Sequence, residues 1–143
     1  LKADAFAHPN QTKRNIALRA LLLTIYEWDM GKVTGRRMHF IYDATGITQG
    51  TKQDVVNSLR ELKKARKAIE SAISDARHNT IAHRDADAIR QYKIISDLSI
   101  MKFQDELEAF YKASEYFLQS MVQAMLEAGT IENLFHQATY PKR

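Results

Sequence analysis

The stretch 76–88, ARHNTIAHRDADA, gathers Arg77, His78, Asn79, His83, Arg84 and Asp85 into one short segment of an otherwise helix-forming chain. Histidine is the side chain best suited to move a proton near neutral pH. Arginine is always charged and presents a planar fork to phosphate oxygens. These types together match metal-free phosphodiester cleavage, with His83 as general acid or base and Arg77 holding the phosphate and its growing charge. Asp85 would orient the imidazole or tie down Arg77 or Arg84. On an unbroken helix, six residues turn through about 600°, which sets Arg77 and His83 roughly 120° apart. For the two to act together, either the helix breaks between them or a second chain completes the site. Asn79 and Thr80 favour local side-chain to backbone bonds over a helix interior, which fits a break there. The competing reading is a polar junction in which these groups cap helix ends and pair on the surface.

Other chemistries fit less well. Cysteine is absent, which removes disulfides, thiol catalysis and thiolate metal sites. His78 and His83 would stand roughly 140° apart on a helix, not on the shared face a metal needs, so no metal and no cofactor is expected. The triplet HRD at 83–85 occurs in kinase catalytic loops, but the chain has no glycine-rich phosphate loop and no room for two lobes. His8, His39 and His136 sit near the ends of expected elements and carry no partner motif.

The chain of 143 residues is 45% hydrophobic and 27% charged, enough for one compact domain with a real core, expected over 1–143 with its centre at 12–137. Five glycines and two prolines are too few for an all-β fold. No membrane span is expected, since the longest apolar run, Ala17–Trp28, is short and contains Arg19 and Glu27. The start shows no basic-then-apolar leader, and with cysteine absent a cytoplasmic setting is expected. The net charge of +4 is compatible with a polyanionic partner. Lys63, Lys64, Arg66 and Lys67 form the densest cationic cluster, read either as solvated helix surface or as a phosphate-contacting patch, and Arg36–Arg37 form a second pair.

The elements that must position these residues follow from periodicity. From Thr51 the positions Val55, Leu59, Leu62, Ile69, Ile73 and Ala76 keep a 4-3-4-3 rhythm in which Arg66 occupies one place. Thr51 is the expected N-cap of that helix, with Asp54 in its first turn. A second stripe runs Ile100, Phe103, Leu107, Phe110, Ser114, Phe117, Met121 and Met125, with a cap at Ser96, Asp97 or Ser99 and Gly129 as its C′ stop. An earlier helix is expected over Thr12–Met30, closed by Gly31, with Ile16, Ala20, Leu22, Leu23, Ile25 and Trp28 on its apolar face. Met38, Phe40, Ile41 and Tyr42 suggest a short buried helix, 45–50 a turn, and Thr130–Gln137 a last short helix. The two long stripes, joined by 76–96, are expected to pack antiparallel at the heart of an all-α helical bundle.

The run RHNTIAH resembles the signature of the HEPN superfamily: Arg, a polar follower, a few variable residues, then His. Arg77, His78 and His83 take those places. The continuation AHRD and the long helix after it resemble the abortive-infection U-type branch. The tight likeness covers about ten residues, and the two-helix frame covers Thr51–Leu126. The resemblance implies an all-α domain, commonly a homodimer with facing motifs, acting as a metal-independent endoribonuclease of toxin–antitoxin or phage-defence type. Cleavage would proceed by attack of the ribose 2′-hydroxyl. The implied catalytic residues are Arg77, His78 and His83, supported by Asn79, Arg84 and Asp85; the implied partners are RNA and an antitoxin protein. In one toxin branch a modified Tyr lies two residues after the His; Asp85 stands there, so regulation of that kind is not expected. Other members are catalytically silent modules that bind nucleic acid, nucleotide or protein, and that is the alternative function.

Overall fold

The computed structural model describes residues 2–29, 31, 38–76, 89, 93 and 99–141, with only the helical backbone of 74–76. Among the described residues the regular structure is helical throughout: α1 (Lys2–Ala7), α2 (Gln11–Glu27), α3 (Met38–Thr45), α4 (Gln49–Ala76), a 3₁₀ turn (Ile100–Lys102), α5 (Gln104–Ala128) and α6 (Ile131–Thr139). The fold is an all-α bundle built on the two long helices α4 and α5. Glu127 at the end of α5 accepts hydrogen bonds from the Thr48 backbone N–H and the Thr51 hydroxyl at the start of α4, so the two run antiparallel. The chain divides into two compact units, Leu1–Trp28 with Ala65–Phe110, and Asp29–Lys64 with Tyr111–Arg143.

In the first unit, Asn10 caps α2 by accepting from the Lys13 N–H at 3.0 Å. The link before it is held by Asn10 N–H to His8 Nδ1 at 3.0 Å and by the Arg14 guanidinium to the His8 carbonyl at 2.9 Å. Helix α2 buries Leu18, Leu21, Leu22 and Ile25. The expected face is therefore turned: Ile16 is exposed, and Ala20 and Leu23 lie at the border of the core. The helix also stops three residues short of the expected Met30. Trp28 turns extended, at φ −62° and ψ 111°. Continuing the helix would require the Ile25 and Tyr26 carbonyls to accept from residues 29 and 30. They accept instead from Arg66 of α4, at 3.1 Å to Nε and 2.6 Å to Nη2. The Trp28 ring packs edge-on against Phe110 at 5.9 Å.

In the second unit, α3 buries only Tyr42, whereas Phe40 and Ile41 are exposed, so the short helix is not the buried one that its composition suggests. Gly46 ends it at φ +70°, the left-handed position that glycine takes after a helix. The cap of α4 is Thr48 rather than Thr51: Thr48 Oγ1 lies 3.4 Å from the Thr51 N–H it accepts, and the Thr48 carbonyl takes the Lys52 N–H at 3.0 Å. Both threonines suit a cap, and the turn geometry after Gly46 selects the first.

The stripe of α4 buries Val55, Leu62, Ile69 and Ile73 as its rhythm predicts, with Ser58 and Ala65 beside them and Leu59 half-buried. Helix α5 begins after the 3₁₀ turn, later than the stripe from Ile100, and Ser99 makes no side-chain cap bond. It buries Phe103 just before its start, then Leu107, Phe110, Ala113, Phe117, Ser120 and Ala124. Beyond Phe117 the buried line passes to these small residues, leaving Met121 half-buried and Met125 exposed, so the stripe is core as far as Phe117 and its last part is not. Gly129 follows α5 without a left-handed φ, bonding back to the Met125 and Leu126 carbonyls at 3.1 and 3.2 Å. Thr130 then caps α6.

Candidate functional site

Arg77, His78, Asn79, His83, Arg84 and Asp85 lie outside the described residues, and so does the Arg36–Arg37 pair. What is described is the element that delivers them. Helix α4 reaches Ala76, the residue before Arg77, and Ile69 and Ile73 anchor its last described turns with no exposed surface. The motif therefore follows directly on a helix whose apolar stripe is buried almost to its end.

Of the four basic residues expected on α4, Lys63, Lys64 and Lys67 are exposed. Arg66 is turned away from them: its guanidinium is half-buried and spends Nε and Nη2 on the carbonyls that end α2. At about 100° per residue, Lys63, Lys64 and Lys67 fall within about 100° of one another, opposite the Leu62 and Ile69 face. Arg60, also exposed, stands three residues before Lys63 and joins the same side of the helix. The i, i+3, i+4, i+7 spacing of Arg60, Lys63, Lys64 and Lys67 signals this stripe, and reading only the densest run of cations misses its first member. An arrangement of this kind can hold successive phosphates electrostatically, without base contacts.

A second polar group lies where α3, α4, α5 and α6 of the second unit meet. The Thr51 hydroxyl and then the Thr48 N–H hold the Glu127 carboxyl below the usual carboxylate range. Lys52 Nζ lies 2.8 Å from Asp43 and lowers that carboxyl by its hydrogen bond. A His136 ring nitrogen sits 3.0 Å from the Asp43 carbonyl. These bonds tie the start of α4 to the ends of α3 and α5. Each acid is held by a donor of the fold, so the group locks helix ends together rather than presenting an acid–base pair. His8 and His39 are likewise in local contacts, His8 with Asn10 and His39 against the Phe40 ring.

Among the described residues there is no group of three or more His, Cys, Asp or Glu side chains placed to hold a metal ion. No described helix is long and apolar enough to cross a membrane. Comparison with family models, curated proteins and solved structures finds no match to this chain.

Proposed function

We propose that the protein is a metal-independent endoribonuclease of the toxin–antitoxin or phage-defence kind, working in the cytoplasm. The observation that carries the reading is the Arg77-His78-X4-His83 motif placed immediately after a long amphipathic helix whose outer side is cationic. In this scheme a ribose 2′-hydroxyl attacks the adjacent phosphorus. His83 takes or delivers the proton, and Arg77 stabilises the charge that grows on the phosphoryl oxygens. The bond to the 5′-oxygen breaks, leaving a cyclic phosphate on one fragment and a hydroxyl on the other. His78 acts with them in the catalytic set, Asn79, Arg84 and Asp85 orient these residues, and Lys63, Lys64 and Lys67 meet the RNA backbone. A homodimer would supply facing motifs and so remove the need for Arg77 and His83 of one chain to reach each other. An antitoxin protein would hold the activity in check.

The exposed basic stripe favours a second reading as well, since it serves binding whether or not the chain cuts: a silent helical module that holds nucleic acid, nucleotide or a protein partner. The deciding experiment incubates purified protein with total RNA in excess EDTA. Cleavage that leaves cyclic phosphate ends and falls ~10²–10⁴-fold in His83→Ala is the expected result. Cleavage that needs added Mg²⁺ and survives His83→Ala rejects the nuclease reading.

A further inference from the structure

In the second unit, α6 and the part of α5 beyond Phe117 carry large apolar side chains on their outward sides. On α6 the polar residues make the inward bonds. Asn133 Nδ2 donates to the Glu127 carbonyl at 2.8 Å, Gln137 Nε2 donates to the Ala128 carbonyl at 2.8 Å, and His136 reaches Asp43. Ile131, Leu134 and Phe135 occupy the opposite side. On α5 the buried line beyond Phe117 is Ser120 and Ala124, while Leu118, Val122, Met125 and Leu126 face out. All seven large apolar side chains are between 53% and 70% exposed. Clustered large apolar side chains left this exposed mark a protein interaction site on soluble chains.

From this we infer that the outward face of α5 and α6 is where a second copy of the same chain docks. The inference does not rest on the nuclease reading and concerns a different part of the sequence from the Arg77–Asp85 motif.

Three features of the face select the occupant. First, Leu118, Val122 and Met125 are spaced 4 and 3, the rhythm of a helix-pairing seam. An antiparallel pair centred on Val122 sets Leu118 of each copy against Leu126 of the other, so the seam complements itself about a two-fold axis. Second, no charged residue occurs from Tyr116 to Leu126. Flanking charges normally choose a different partner or repel an identical one, and here Gln119, Met121 and Leu126 do neither. Third, no Lys or Arg occurs from Ala113 to Thr139, whereas a helix that lies on an anionic membrane carries cations beside its apolar face.

The chain has no cysteine, so a single introduced thiol reports this pairing cleanly. Oxidised Val122→Cys should form a covalent dimer, and Ile16→Cys, exposed in the first unit, should not. Light scattering of the unmodified chain at tens of micromolar should give at least the dimer mass, and a larger one where the Arg77–His83 motifs also face each other across a separate interface. Val122→Glu combined with Leu126→Glu should weaken the dimer roughly 100-fold or more by setting carboxylates against one another, with helical circular dichroism unchanged. A monomeric wild type overturns the inference, and so does a dimer that neither crosslinks at 122 nor responds to the paired glutamates.

Discussion

An ammonium on a flexible stem can replace the charge of a guanidinium but not its planar pair of donors. If Arg77 both grips a phosphate and stabilises its extra charge during cleavage, Arg77→Lys should keep most RNA affinity and lose most cleavage. Paired binding and cleavage assays check this, and normal cleavage by that variant would make Arg77 structural. Lys63, Lys64 and Lys67, with Arg60 beside them, should behave the other way. Neutralising them should weaken binding to all sequences and lower the slope of log affinity against log salt by about 1 for each phosphate left unneutralised. At Glu127 the test is pH. Donors from Thr51 and Thr48 lower its carboxyl from the ordinary 4.5, so its contribution to stability is present above that value and is lost as pH falls through the folded-state value. The difference in Tm between wild type and Glu127→Gln should therefore be largest at neutral pH and shrink as the medium is acidified below about pH 4.5.

At the scale of the element, helix ends carry the sharpest consequences. Arg66 satisfies two carbonyls at the end of α2 from a position on the apolar stripe of α4. Arg66→Ala should cost about 1–3 kcal/mol of stability, because charge-assisted bonds are removed and half-buried carbonyls are left without a donor. Neutralising Lys63, Lys64 or Lys67 should change stability by no more than about 0.5 kcal/mol. Denaturant midpoints separate the two outcomes. The same measurement should give opposite signs at two glycines. Gly46 has φ +70°, and a Cβ there would come within 2.7 Å of Asn133 Oδ1 and 2.9 Å of the His136 ring, so Gly46→Ala should destabilise by about 1–2 kcal/mol or more. Gly50 lies in the first turn of α4, where a Cβ would meet only Thr48 Oγ1 in ordinary contact at 3.9 Å, and Gly50→Ala should stabilise by roughly 0.5–1 kcal/mol.

For the whole molecule, the surface chemistry is sorted along the chain. The cationic stripe belongs to the middle of α4, and the region from Ala113 to Thr139 has apolar groups and three carboxylates but no Lys or Arg. The two proposed partners would therefore meet different elements, a polyanion α4 and a second copy α5 and α6. Association through α5 and α6, as proposed, would stabilise the folded chain by mass action, so the thermal midpoint should rise with protein concentration between about 1 and 100 µM, and Val122→Glu with Leu126→Glu should remove the rise. A midpoint independent of concentration in the wild type would contradict the assembly.

The sequence by itself determined the all-α class, the two long helices and the stripe from Val55 to Ile73, because a 3.6-residue period is written in residue types along one segment. It also determined the Arg77–His83 motif and the spacing of Arg60, Lys63, Lys64 and Lys67, since both are matters of local order. Tertiary structure decided which apolar side of α5 is buried beyond Phe117. Leu118, Val122 and Met125 make as good a stripe as Phe117 and Met121, and only packing that admits the small Ser120 and Ala124 turns the larger residues outward. Tertiary structure also decided that α2 stops at Glu27 and that Arg66 serves it. A carbonyl's need for a donor is invisible in its own segment, and Arg66 Nε meets the Ile25 carbonyl across a separation of 41 residues. The choice of Thr48 over Thr51 as the cap of α4 has the same origin, since each suits the role locally and the left-handed turn at Gly46 fixes where the helix begins.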